Sequence, residues 1–223
     1  MNLFDILGPV MVGPSSSHTA GAVRIGRMAR RLLGEGTPRT ARIALAGSFA
    51  ATGRGHGTDR ALVAGLLGMQ TDDERIPDSF RLAAQAGMDY AFSRIPLGAE
   101  HPNTARITLT GRTGKPLAMT ASSLGGGRIM VVEMNGLRVS FSGDLPTLIV
   151  QNRDQPGHVR DVSDVLAKNS VNIATLNLYR DYPGGNAVMI IEMDKAVPEE
   201  SLQALRAIRG ITGVTFVGSE KEG

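Results

Sequence analysis

Cysteine and tryptophan are absent from the 223 residues, and six phenylalanines and three tyrosines supply all the aromatic rings. Without cysteine the chain forms no disulfide, no thiolate zinc site and no cysteine nucleophile, and it cannot by itself ligate an iron–sulfur cluster. Any cluster chemistry it serves has to sit on another polypeptide. Four histidines with no close spacing give no pattern for a transition-metal site made by this chain alone, so no metal ligands are assigned. No run approaches the ~18 uninterrupted apolar residues that cross a bilayer. Residues 1–12 carry Asp5 and no basic residue, so neither a membrane span nor a signal peptide is expected, and the cytoplasm is the expected compartment.

What is present suits a folded protein. At roughly 150 residues per domain the length accommodates one large or two small domains, and 42% apolar with 20% charged residues is ordinary globular composition. The net charge of +3 is unevenly spread: Arg24, Arg27, Arg30, Arg31, Arg39, Arg42, Arg54 and Arg60 face only Asp5, Glu35 and Asp59 across residues 1–62. This segment should attract anions. Nucleic acid is disfavoured, because single-strand binding interleaves basic residues with stacking aromatics and only Phe4 and Phe49 are available there. Small carboxylates or an acidic partner surface fit better.

The periodicity predicts an α+β fold in two parts. Ala20–Leu33 reads as an amphipathic helix stopped by Gly34, Arg42–Ala50 as a buried strand, and Asp59–Gly68 and Ser79–Arg94 as helices. Thr104–Gly111, Pro116–Ser122, Arg128–Met134 and Leu137–Ser142 read as strands, with Asn135-Gly136 a hairpin signal. A boundary is expected near Gly143–Pro146, separating a domain 1–143 from a domain 147–219. The second reads strand Thr147–Asn152, helix Gly157–Lys168, strands Asn172–Arg180 and Asn186–Asp194, helix Pro198–Ile208 and strand Gly213–Gly218. That order is the ferredoxin-like βαββαβ motif.

Four segments carry candidate chemistry. Gly13-Pro14-Ser15-Ser16-Ser17-His18-Thr19 precedes a helix, where hydroxyls and free N–H groups serve either as an N-cap or as a site for a carboxylate or phosphate, with His18 as a titratable neighbour. A serine-hydrolase reading fails, because adjacent Ser17 and His18 do not give a base folded back onto the nucleophile. Gly47–Asp59, GSFAATGRGHGTD, has Thr58 where a dinucleotide fingerprint needs its third glycine and lacks Gly-Lys-Ser/Thr, so a nucleotide loop is not expected. It is either a tight glycine connection or a close approach to substrate that brings His56 and Asp59. His101-Pro102-Asn103-Thr104 could lend an imidazole and an amide to a cleft. Asn152-Arg153-Asp154-Gln155-Pro156-Gly157 is either a capped strand-to-helix connection or a holder for an amino acid.

Taken together, Gly13–Thr19, Gly47–Gly68, His101–Thr104 and Ser123–Ile129 (SLGGGRI) closely resemble the β chain of bacterial iron–sulfur-dependent L-serine dehydratase, and Asn152–Gly157 resembles the ACT domain that ends such chains. The resemblance implies an N-terminal α/β domain similar to the allosteric substrate-binding domain of some phosphoglycerate dehydrogenases, followed by the ACT domain. It implies the L-serine ammonia-lyase reaction of serine catabolism, feeding gluconeogenesis, in which L-serine becomes pyruvate and ammonia. A [4Fe–4S] cluster is then held by cysteines of a partner α chain. On that reading His18 and then His56 are the catalytic candidates, and Ser15, Ser16, Ser17, Thr19, Arg54 and Asn103 bind substrate. Asn152, Asp154 and Gly157 hold a regulatory ligand, and the ACT domain self-associates. The alternative is a non-catalytic amino-acid-sensing or interaction module.

Overall fold

The computed structural model describes residues 10–219 except 54, 97, 99 and 100. Packing divides the chain into two compact units, 1–136 and 137–223.

In the first unit a single π-helical turn, Ser16–Ala20, leads into α1 (Gly21–Leu33), which ends on left-handed Gly34. Ala22, Val23, Ile25, Met28, Ala29 and Leu32 form its buried face. Then follow β1 (Thr40–Ala46), α2 (Gly47–Thr52), α3 (Thr58–Leu67), a 3-10 turn (Ile76–Asp78), α4 (Ser79–Gln85) and β2 (Asp89–Arg94). Strands β3 (Asn103–Thr110), β4 (Pro116–Gly125) and β5 (Arg128–Met134) complete this unit's sheet, in the order β2-β1-β3-β4-β5. Only the β1–β2 pairing is described as parallel; β1–β3, β3–β4 and β4–β5 are antiparallel. Helices α1 and α3 meet backbone to backbone: a Cβ at Gly26 would lie 2.3 Å from the Leu62 carbonyl oxygen, and one at Gly65 2.1 Å from that of Val23. Only hydrogen at both positions permits that approach.

Two expected elements are corrected. The strand expected over Arg42–Ala50 ends at Ala46, because Gly47 takes φ +53 and the next residues wind into α2. The helix expected over Ser79–Arg94 stops at Gln85. Gly87 at φ +67 breaks it, and Tyr90 and Phe92, two residues apart as a strand requires, run parallel to β1. The hairpin signal is met at Asn135 (φ 49) and Gly136 (φ 83), both in the positive region that a type I′ turn needs. The division between units falls at this turn, one strand before the expected boundary.

The second unit opens with β6 (Leu137–Phe141) and continues with β7 (Thr147–Arg153), α5 (His158–Lys168), β8 (Ile173–Arg180), β9 (Asn186–Met193), α6 (Glu199–Ala207) and β10 (Ile211–Val217). Its sheet runs β10-β7-β9-β8, antiparallel throughout. Leu148, Val150, Val162, Leu166, Ile191 and Leu205 form part of one core between that sheet and the two helices. The expected βαββαβ order is present element by element. Among the described residues no helix is long and apolar enough to cross a membrane.

Candidate functional site

The first unit gathers four of the quoted segments around His18. Ser15, in extended backbone, caps the π turn: its Oγ accepts from the His18 backbone N–H at 3.2 Å, and its carbonyl accepts from Thr19 N at 2.8 Å. Gly13 crosses over Thr19 so closely that a Cβ there would lie 2.5 Å from Thr19 Oγ1. The Ser16 carbonyl accepts from Gly21 N as the turn passes into α1.

From the other side comes α2. Ser48 N donates to the Pro102 carbonyl at 2.8 Å, and Gly47 bridges Asn103, so His101–Thr104 is pinned against the start of α2. A Cβ at Gly47 would lie 2.4 Å from that same carbonyl oxygen. Thr104 Oγ1 donates to the His101 carbonyl at 2.5 Å and lies 2.7 Å from Ser122 Oγ, which ties the segment to β4. Beneath α1, Ser123 sits against Gly21, where a Cβ would lie 2.0 Å from its Oγ. Arg24 Nη1 donates to the Gly127 carbonyl at 2.9 Å, and a Cβ at Gly125 would lie 3.7 Å from Ser17 Oγ.

His18 Nε2 lies 3.1 Å from both Ser48 Oγ and Thr52 Oγ1, while Nδ1 lies 3.4 Å from Ser15 Oγ. Thr52 gives its only hydroxyl proton to the Ser48 carbonyl at 2.9 Å, so its oxygen faces Nε2 as an acceptor. The network therefore assigns the proton of neutral His18 to Nε2 and leaves a lone pair on Nδ1 beside the Ser15 hydroxyl. Fully buried Phe49 meets the imidazole edge to face at 5.4 Å, and the His56 ring lies at 5.0 Å. Burial holds the His18 pKa below its ordinary 6.5, and the positive charge of a protonated His56 pushes it further down, against a smaller opposing hydrogen bond at Ser48.

A cavity of about 230 Å³ opens between Gly13 and His56, with Thr19 and Arg60 on its wall. Thr19 Oγ1 on that wall is buried without a hydrogen-bond partner among the described residues, as are Asn103 Oδ1 beside Gly47 and Ser123 Oγ beneath α1. Such groups are costly to leave bare, and a bound polar molecule is one way to satisfy them. Thus His18 and Ser15 are in direct contact, Thr19 and His56 share a cavity, and Asn103 is locked to the start of α2. Arg54 lies outside the described residues. His101 is exposed and accepts from Asn103 N within its own loop. Sequence reasoning missed Ser48, Thr52 and Arg60. The first two are four apart on a helix and so share a face, a signal hidden while a strand is expected to run through Ser48 to Ala50.

In the second unit, Asn152 is 3% exposed, its Nδ2 donates to the Arg153 carbonyl at 2.6 Å, and its Oδ1 is buried without a partner. Asp154 Oδ2 accepts from Gly184 N at 2.9 Å and Arg180 Nη1 at 3.0 Å, and these bonds hold its pKa below the ordinary carboxylate value. Gly157, at φ +103, opens α5. Next to it His158 is buried with neither ring nitrogen partnered, and Gly210 leaves room for that ring.

Comparison with known proteins gives this geometry a context. The family described as serine dehydratase beta chain matches residues 2–88, and the ACT domain family matches residues 146–210. The chain is 44% identical over 204 residues to "Probable L-serine dehydratase, beta chain" of Bacillus subtilis, covering 92% of both chains. It belongs to the L-serine dehydratase beta-chain family. By that membership it is an enzyme subunit. The L-serine dehydratase beta chain of Peptoniphilus asaccharolyticus is 39% identical over 203 residues, 91% of each chain. A D-3-phosphoglycerate dehydrogenase of Methanocaldococcus jannaschii is 28% identical over 99 residues, 44% of this chain and 19% of that one.

Proposed function

We propose that the chain is the β subunit of an L-serine ammonia-lyase that, with an α chain, converts L-serine to pyruvate and ammonia. The observation that carries this reading is an imidazole, held neutral by burial and set among hydroxyls, in a chain of this family. Dehydration removes the α-proton and the β-hydroxyl of serine. The aminoacrylate left behind takes up water and releases ammonia and pyruvate.

Residues of this chain do not fit a [4Fe–4S] cluster: cysteine is absent, and among the described residues no three His, Asp or Glu side chains are grouped to hold a metal ion. The resemblance to the family implies that cysteines of the α chain would hold the cluster, and on this proposal this chain's part is binding and proton transfer. His18 is the proton-transfer group, taking a proton at Nδ1 while Nε2–H stays directed at the Ser48 and Thr52 oxygens, which stabilise the imidazolium as it forms. Ser15, Ser16, Ser17 and Thr19, with the N–H groups of the turn that leads into α1, suit the substrate carboxylate. Asn103 and Arg54 position substrate, and His56 is the second candidate for proton transfer.

For the second unit we propose a self-associating ACT module in which Asn152, Asp154 and Gly157 hold an amino acid or a cation. The unpartnered Oδ1 of Asn152 supports this reading. The decisive experiment is anaerobic co-purification with a cysteine-bearing α chain, followed by pyruvate assays with and without this chain. Turnover that requires both chains and collapses in His18→Ala is expected; full activity from the α chain alone overturns the reading.

A further inference from the structure

Four of the nine aromatic residues line one cavity, and it is not the one beside His18. This second cavity, of about 360 Å³, lies between α2, the start of α3, α4 and the edge strand β2. Leu45, Phe49, Phe80, Tyr90 and Phe92 form its apolar wall. The rings brace each other: Phe80 stacks on Tyr90 at 5.2 Å, and Tyr90 meets Phe92 edge to face at 5.9 Å. The cavity is thus preformed rather than waiting on a side-chain collapse.

Its polar groups carry both signs. Asp59 also lines it, with one carboxylate oxygen taken by the Arg60 backbone N–H at 2.8 Å and the other given no hydrogen bond among the described residues. Arg94, at the exposed end of β2, brings a guanidinium. A volume at the low end of the ~300–1,000 Å³ typical of small-molecule sites accepts one compact molecule and excludes a helix or strand of a partner. An anion alone would leave Asp59 opposed to it, and a hydrocarbon would leave both charges unused.

We infer that this cavity binds an α-amino acid with a branched or aromatic side chain, the side chain among the rings, the ammonium on Asp59 and the carboxylate on Arg94. L-serine does not suit it, because a hydroxymethyl group leaves the apolar wall uncovered and puts its own hydroxyl against carbon. The site is also placed to be felt elsewhere. Phe49 also touches the His18 imidazole, and Phe80 carries the Arg60 guanidinium 5.8 Å above its ring, so an occupant would press on a neighbour of His18 and, through Arg60, on the wall of the first cavity.

The test reads binding rather than turnover, so it succeeds or fails independently of the dehydratase reading. The full chain is titrated calorimetrically with L-phenylalanine and L-leucine, with L-serine and D-phenylalanine as controls, and the His18 ring resonances are followed by NMR. Expected are saturable binding of the two apolar L-amino acids, shifted His18 resonances, and affinity weakened about tenfold or more in Arg94→Ala, the scale of one charge-assisted hydrogen bond. No saturable binding, equal affinity in Arg94→Ala, or loss only in Asp154→Ala overturns the assignment, the last by placing the ligand in the second unit.

Discussion

His18 and Thr52 meet at 3.1 Å across thirty-four residues of sequence, and the threonine is oriented for that meeting by its own bond to the Ser48 carbonyl. The contact couples the serine-rich turn to the glycine-rich loop. Replacing Thr52 by valine keeps the volume and deletes the acceptor. In the α–β complex kcat for L-serine should fall about tenfold, the scale of one lost hydrogen bond at about 1.4 kcal/mol, with KM little changed. His18→Ala should cost about 10²–10⁴-fold in kcat, the usual worth of a positioned acid–base group. Steady-state kinetics checks both.

The His18 pKa gives a pH signature. Folding depresses it below 6.5, so as pH falls the unfolded chain takes up the proton first. The stability contributed by the neutral ring is therefore complete above the unfolded value and is lost as pH drops through the folded one. NMR titration should place the His18 midpoint below 6.5 and move it upward in His56→Gln, where the repelling charge is gone. A midpoint unmoved by that substitution would mean that His56 exerts no field there.

Gly65→Ala should destabilise the first unit by about 1–3 kcal/mol, the range for overpacking a close contact, because the new methyl meets the Val23 carbonyl. Gly114, whose Cβ would meet nothing within 4 Å, makes the comparison. Its substitution by asparagine, which tolerates positive φ, should be nearly neutral in urea unfolding.

Asn152→Ala removes one donated bond and one buried orphan acceptor together. These effects oppose each other, so the unfolding free energy from urea denaturation should change by less than about 1 kcal/mol. Response of the complex to an amino acid or cation at the second unit should nonetheless be lost. Kinetics with and without added ligand, on variant and wild type, reads the difference.

Much of this fold is legible in the chain because its periodicity is local. The second unit is the clearest case: Val162 and Leu166 on α5 and Leu202 and Leu205 on α6 mark their buried faces without help from distant residues. The failures sit where tertiary partners decide. Tyr90 and Phe92 could extend a helix from Ser79 on propensity alone, and only pairing with β1 makes them strand. Ser48–Ala50 continue an apolar run, yet the bond from Ser48 to Pro102 turns them into α2. The candidate site was legible as motifs, because glycines and hydroxyls cluster in sequence. The hydroxyls that contact His18 Nε2 were not, because Ser48 lies in the segment expected as strand and Thr52 just past its end, so the helix that puts them on one face was not expected.

The register of β1 carries a consequence for how this molecule is made. Thr40 pairs with Asp89 on one side and with Thr110 on the other, so β1 finds no strand partner close to it in sequence. Closing loops of that length costs entropy before any contact repays it. The turn bearing His18 gains its footing on Gly47 and Ser48 only after Pro102 is in place, and on Ser123 later still. During synthesis α1 can pack on α3 as soon as both have emerged, but their sheet must wait until β3 and β4 leave the ribosome. The site that lies first in sequence is among the last to be assembled.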